Sequence, residues 1–290
     1  MKENNSKKAV TLAFLVLVQL VISSAAPLVS PFFESYYKVA AVKLIYAMSF
    51  VVPYIFWKRM FRPIGLSNSK HTYCEYKKPA FFVAFAAIVA FLQINIVLLE
   101  VFNVTSSSSG SGVFNGFFGF LFSLLMYAVI PAITEELFSR GVIMRICGGG
   151  YNAAIVSGVI FGVCHFNPYQ LVYAVGSGIV ISFLYLYTSD MRLAVYLHLC
   201  VNTVVLMLSY LAKICPVGVY VAIECVVWLT VLALGIYYSY VILRDYQIQV
   251  QQRTKKIRKN KEDILPAEIF SPVMLVVYAV IIAATVFRYL

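Results

Sequence analysis

The fold this sequence predicts is an all-α, polytopic bundle of membrane helices, and three observations predict it. Of 290 residues, 62% are hydrophobic and only 12% charged, with a mean hydropathy of +0.86; a soluble domain of this size carries roughly twice that charged fraction. Apolar stretches long enough to cross a hydrocarbon core of about 30 Å recur from end to end. The short alternating segments of a membrane β-barrel are absent. The expectation is an integral, multi-pass protein with eight to nine transmembrane helices.

The apolar segments fall at 9–29, 37–57, 79–103, 113–146, 152–166, 169–188, 193–212, 217–243 and 270–287. The first follows Lys2, Lys7 and Lys8 and passes through Ser23-Ser24-Ala25-Ala26, much as a signal peptide would. Its apolar run continues through Val29, which suits an uncleaved first span. The second contains Lys43, a side chain able to snorkel to the interface. A Ser/Gly stretch at 105–112 separates the first three segments from those carrying ionisable groups and reads as a flexible linker. The chain thus divides into 1–112 (N-terminal helices and linker), 113–212 (a core) and 213–290 (C-terminal helices with a basic loop). No internal repeat is visible, so the repeat architecture of many transporters is unsupported.

The net charge of +11 is not a nucleic-acid signal. Its positive residues cluster at 2–8, 58–78 and 244–261, between apolar segments, as expected of cytoplasmic loops. Nine spans with the N-terminus cytoplasmic agree with this bias. The partner is the bilayer, and the run at 253–261 could touch anionic lipid heads. Six cysteines show no CxxC pair, so no disulfide framework or zinc cluster is implied. Cys164 and Cys200 read as packing residues.

Ionisable groups within apolar segments are costly and functional by default. Those that recur on successive segments at matching depth are Glu135, Glu136, Arg140, His165 and His198, whereas Lys43, Glu100 and Glu224 sit near segment ends or alone. At a rise of 1.5 Å per residue, Glu135 lies roughly 18 Å from the inner end of its helix, His165 roughly 20 Å, and His198 and Asn202 roughly 12 and 18 Å. Three helices therefore bring polar groups to a similar depth. Glu136 and Arg140 are i and i+4 and can neutralise each other, while Glu135 is turned roughly 100° away and stays free. His198 and Asn202 are also i and i+4 and can aim at one point. Phe161, four residues before His165, can form a wall beside its ring. Gly158 and Gly162 form a GxxxG that admits a neighbouring helix.

At these residues the sequence resembles the CPBP family, the type II CAAX prenyl endopeptidases and bacteriocin-processing or immunity proteins. That family carries EExxxR, FxxxH and HxxxN on successive membrane helices. This chain has Glu135-Glu136-Leu-Phe-Ser-Arg140, Phe161-Gly-Val-Cys-His165 and His198-Leu-Cys-Val-Asn202, in order, within 113–212.

The resemblance implies intramembrane proteolysis. By motif, Glu135 would be the general base activating a water, with His165 sharing that water. His198 and Asn202 would stabilise the oxyanion, and Glu136, Arg140 and Phe161 would support them. Water must reach Glu135, and with the N-terminus inside the cavity is expected to open to the cytoplasm. The family has been described both as metalloproteases and as metal-independent glutamate proteases. The cofactor is unknown; an Asn beside the second His favours metal independence, and zinc held by Glu135, His165 and His198 is the alternative. The resemblance further implies a bacterial plasma membrane and a membrane-associated peptide or protein as substrate, either prenylated and CAAX-like or a bacteriocin or pheromone precursor. A non-catalytic immunity or partner-binding protein, and a transporter using the same groups as a proton relay, are the competing classes.

Overall fold

The computed structural model describes residues 2–60, 77–102, 116–165 and 167–253. Within them, each of the first eight apolar segments is helical. The helices are α1 (Lys2–Val29), α2 (Ser35–Met60), α3 (Lys77–Val101), α4 (Gly116–Ile146), α5 (Gly150–Val163), α6 (Leu171–Thr188), α7 (Met191–Ile214) and α8 (Val217–Arg253). All but α5 are long and apolar enough to span a membrane. The fold is the expected multi-pass all-α bundle. The linker at 105–112, the basic residues after Arg253 and the ninth segment at 270–287 lie outside the described residues.

Successive helices alternate in direction, so the bundle has two distinct ends. One end gathers the start of α1, the start of α3 and the α4–α5 and α6–α7 connections, and is rich in lysine and arginine. Across it, Lys77 at the start of α3 pairs with Asp190 at 2.6 Å. That hydrogen bond holds the Asp190 carboxyl below its ordinary range. Asp190 also caps α7, accepting from the Arg192 amide at 3.0 Å. The far end gathers the α1–α2, α5–α6 and α7–α8 connections.

Two apolar cores sit on either side of the polar groups. One packs Leu12, Leu15 and Val16 of α1, Phe50 and Trp57 of α2, Phe138 and Ile143 of α4 and Ile160 of α5. Cys164 belongs to it, as a packing residue. The other joins Ala84 and Ile88 of α3, Ile181 and Leu184 of α6, and Leu197 and Val201 of α7. All these side chains are nearly inaccessible.

Helices α5 and α6 approach backbone to backbone through the expected glycines. A Cβ on Gly158 or Gly162 would collide with the backbone of Ile179 or Val175 on α6, and one on Gly178 would meet the Phe161 ring. Because backbone cannot yield as a flexible side chain does, Gly162→Leu is expected to cost about 3 kcal/mol. Thermal unfolding in detergent measures this as a lowered melting temperature. Gly218→Leu, where an added Cβ meets nothing within 4 Å, should leave melting in place.

Candidate active site

Glu135 and Glu136 lie on the α-helical stretch Ile130–Phe138 of α4, between two π-helical turns, Leu125–Val129 and Ser139–Ile143. The first turn has a direct cause. Pro131 has no N–H to give, and its ring crowds the carbonyl four residues back. Widening the turn lets the Ile130 amide reach the Leu125 carbonyl. The second turn carries Arg140 and closes through the Met144 amide on the Ser139 carbonyl. Single π turns inside α-helices are frequent at functional positions.

Arg140 and Glu136 are both fully buried, at 0% exposure. The guanidinium donates to Glu136 Oε1 at 2.9 Å through Nη1 and to the Gly178 carbonyl of α6 at 2.6 Å through Nη2. Its central carbon stands 5.2 Å from the centre of the Phe161 ring on α5. Glu136 Oε1 also accepts from His198 Nδ1 of α7, at 2.9 Å. The expected i,i+4 pair therefore exists, and it ties four helices together.

Glu135 turns the other way, as its neighbouring position on the helix dictates. Its buried Oε2 has no hydrogen-bond partner. That oxygen lies 3.6 Å from His165 Nε2 and 3.9 Å from His198 Nε2. His165 Nδ1 donates to the Phe161 carbonyl at 2.8 Å, since a carbonyl only accepts. The Glu136 carboxylate holds the Nδ1 proton of His198 in the same way. Each ring, when neutral, thus presents a bare Nε2 toward Glu135. The Phe161 ring packs against both imidazoles, with centres 4.7 Å from His165 and 5.7 Å from His198.

Glu135, Phe161, His165, His198 and Asn202 all line one cavity of about 460 Å³. Glu136 and Arg140 stand behind its wall. All seven residues singled out in the sequence are therefore brought together, five at the cavity and two in support.

Two features of this cavity differ from the sequence reading. Lys43 lines it, stacked 4.3 Å from the centre of the Tyr127 ring, rather than snorkelling to an interface. The cavity also runs away from the basic end. Its lining includes Ser23 and Ala26 near the end of α1, Lys43 and Tyr46 in the first half of α2, and Asn167 and Gln170 of the α5–α6 connection. An opening on the same side as the basic loops does not match that lining. The α5–α6 connection is itself held by Asn95 of α3, which donates to the Tyr169 carbonyl at 2.9 Å and accepts from the Tyr173 amide at 3.3 Å. An asparagine in the middle of an apolar segment is the sequence signal for it.

The donor types Glu135, His165 and His198 suit zinc, and their spacing is slightly wider than a closed tetrahedral site. Tetrahedral zinc with bonds of about 2.0–2.1 Å places ligand atoms about 3.4 Å apart. The two separations here are wider, and among the described residues no group of three acidic, histidine or cysteine side chains is placed to hold a metal.

The family model described as type II CAAX prenyl endopeptidase Rce1-like matches residues 117–204. That stretch contains all three motifs, and the resemblance read from them holds over it. No curated protein and no solved structure matches the chain.

Proposed function

We propose that residues 117–204, the stretch matched by the CAAX-type protease model, carry an endopeptidase site in which Glu135 and His165 activate a water against a peptide bond. The observation that supports this most is the Glu135 Oε2, without a hydrogen-bond partner, set 3.6 and 3.9 Å from the Nε2 atoms of His165 and His198 at a cavity. A water there donates one proton to Glu135 and the other to His165 as a hydrogen bond. Glu135 takes its proton while the water oxygen attacks the substrate carbonyl carbon. The resulting oxyanion accepts from Asn202 and from His198 when that ring carries both protons, with Glu136 holding the Nδ1 proton throughout. Glu135 then returns its proton to the amine nitrogen as the C–N bond breaks, leaving a new carboxyl terminus and a new amine.

Removing one oxyanion donor typically costs 10²–10³ in turnover. Asn202→Ala is therefore expected to lower kcat about 10²-fold with KM nearly unchanged, in a steady-state peptide assay. The substrate is a membrane-associated peptide or protein. The test is detergent-purified protein incubated with a panel of farnesylated and unprenylated membrane peptides, with products identified by mass spectrometry. A new carboxyl terminus is the expected result. A folded protein that binds a peptide and cuts none would favour the non-catalytic partner-binding class.

We take the basic end of the bundle as cytoplasmic, the orientation that charge bias favours. With that orientation the cavity reaches the non-cytoplasmic face, which suits an exported peptide precursor better than a cytoplasmic prenylated protein. In a cysteine-free background, Gln170→Cys should react with a membrane-impermeant maleimide in intact cells and Lys58→Cys only after permeabilisation. The reverse pattern would invert the orientation.

A further inference from the structure

Tyr173 lines the cavity beside Glu135, His165 and His198, and it takes no part in activating the water. Its ring packs against the second apolar core, an apolar body with a polar tip. A phenol O–H inside a bundle normally finds a partner. Among the described residues the Tyr173 hydroxyl has none, and it borders the cavity instead.

The position of this residue is fixed from another helix. Tyr173 is the third residue of α6, where a helix leaves N–H groups without an intrahelical partner. Asn95 of α3, itself only 7% exposed, supplies one. Its Oδ1 accepts from the Tyr173 amide at 3.3 Å, while its Nδ2 donates to the Tyr169 carbonyl at 2.9 Å. One buried side chain thus pins the first turn of α6 and the connection that follows His165. The height of Tyr173 follows from the α5–α6 packing. Gly162 meets Val175 and Gly158 meets Ile179, so four residues along α5 match four back along α6. The position opposite His165 is then Val172, which puts Tyr173 within about one residue's rise, roughly 1.5 Å, of the level of His165. The phenol also interacts electrostatically with Glu135.

A tyrosine keeps its proton until about pH 10, so at neutral pH the hydroxyl is a donor and not a base. The attacking water already directs its protons to Glu135 and His165, and the oxyanion lies with His198 and Asn202 of α7. The remaining acceptors that enter this cavity are the carbonyls of the peptide itself. We propose that Tyr173 is a substrate-binding residue whose O–H donates to a main-chain carbonyl of a residue flanking the scissile bond. Neighbouring residues of an extended chain lie about 3.5 Å apart, a step that the side-by-side placement of Tyr173 and His165 accommodates. The bond orients the chain and moves no proton. It reads main chain, so it recognises a peptide whatever side chain that residue carries. This inference rests on the peptidase reading and adds how the substrate is held.

The test is a cycle between enzyme and substrate. In a set of peptides, each carbonyl flanking the scissile bond is replaced in turn by a trans-alkene, which keeps the chain's shape and removes the acceptor. A neutral hydrogen bond corresponds to about 2- to 10-fold in affinity. Tyr173→Phe should therefore raise KM for the parent peptide about 2- to 10-fold, with kcat within about twofold and melting unchanged. One alkene peptide should show the same rise with wild type and no further rise with Tyr173→Phe. Losses that multiply at every position would overturn the inference and leave the peptidase intact. A fall in kcat at constant KM would put the hydroxyl on the oxyanion, and a lowered melting temperature would make it structural; either overturns the assignment. No cleavage of the parent peptide by wild type would overturn the peptidase reading and this inference with it. Binding gives a check without turnover. In Glu135→Gln protein the parent peptide should raise melting more than its alkene version, and adding Tyr173→Phe should erase the difference; equal shifts before that addition would overturn the inference.

Discussion

Replacing Glu135 by glutamine should abolish peptide cleavage, lowering turnover by about 10³-fold or more, while melting stays at or above the wild-type temperature. The first half follows from the proposed chemistry. General-base transfer contributes typically 10²–10⁴, and glutamine has the carboxylate's shape but cannot take a proton. The second half follows from the geometry. Glu135 is 2% exposed and its Oε2 has no partner, so the substitution breaks no hydrogen bond at that oxygen and removes an incompletely satisfied buried charge. A variant that is dead and unfolded would show only that the residue is structural. Glu135→Asp sets the carboxylate back by one methylene, and misplacement on the order of 1 Å can cost about 10²-fold. Turnover of purified proteins and scanning fluorimetry on the same samples check both halves.

Arg140→Met is expected to be the most destabilising single change at the site, at about 3–5 kcal/mol, because it strands a buried carboxylate. Glu136 would keep His198 as its partner, while the Gly178 carbonyl would lose the guanidinium and keep Ser182 Oγ, which donates to it at 2.9 Å, beside its helical bond. The double variant Arg140→Met, Glu136→Leu removes the stranded charge as well and should recover much of the lost melting temperature. It should not recover activity, because Glu136 is also what fixes the His198 Nδ1 proton. Stability and turnover separate in this pair of variants if the Glu136–Arg140 unit positions His198. They return together if the pair only staples helices.

The parts of this site legible in the sequence are those set by helical periodicity. Four-residue spacing fixed the Glu136–Arg140 pair, and the offset of Glu135 followed from the same rotation. The glycines at 158 and 162 announced a close neighbour, and α6 is that neighbour. What the sequence did not disclose comes from long-range packing. Lys43 reaches the cavity because α2 packs against α4, with Phe50 and Phe138 in contact at 5.8 Å between ring centres, and no local spacing encodes that. The Gly178 carbonyl as a partner for Arg140 is a backbone group, invisible in side-chain patterns. The π turns of α4 change the register that a uniform rise assumes; Pro131 hinted at one and nothing local at the other. The set of residues that lines the cavity likewise depends on how the helices pack, which depth along each helix does not encode.

In the proposed chemistry Glu135, rather than a bound metal, activates the water. The most direct measurement is single-turnover cleavage by purified protein after exhaustive treatment with a strong chelator, with Glu135→Gln alongside and zinc added back to each. The expected result is an unchanged wild-type rate after chelation and no cleavage by Glu135→Gln with or without zinc. A wild-type rate lost on chelation and restored by zinc would contradict it, and would make Glu135, His165 and His198 ligands of the ion.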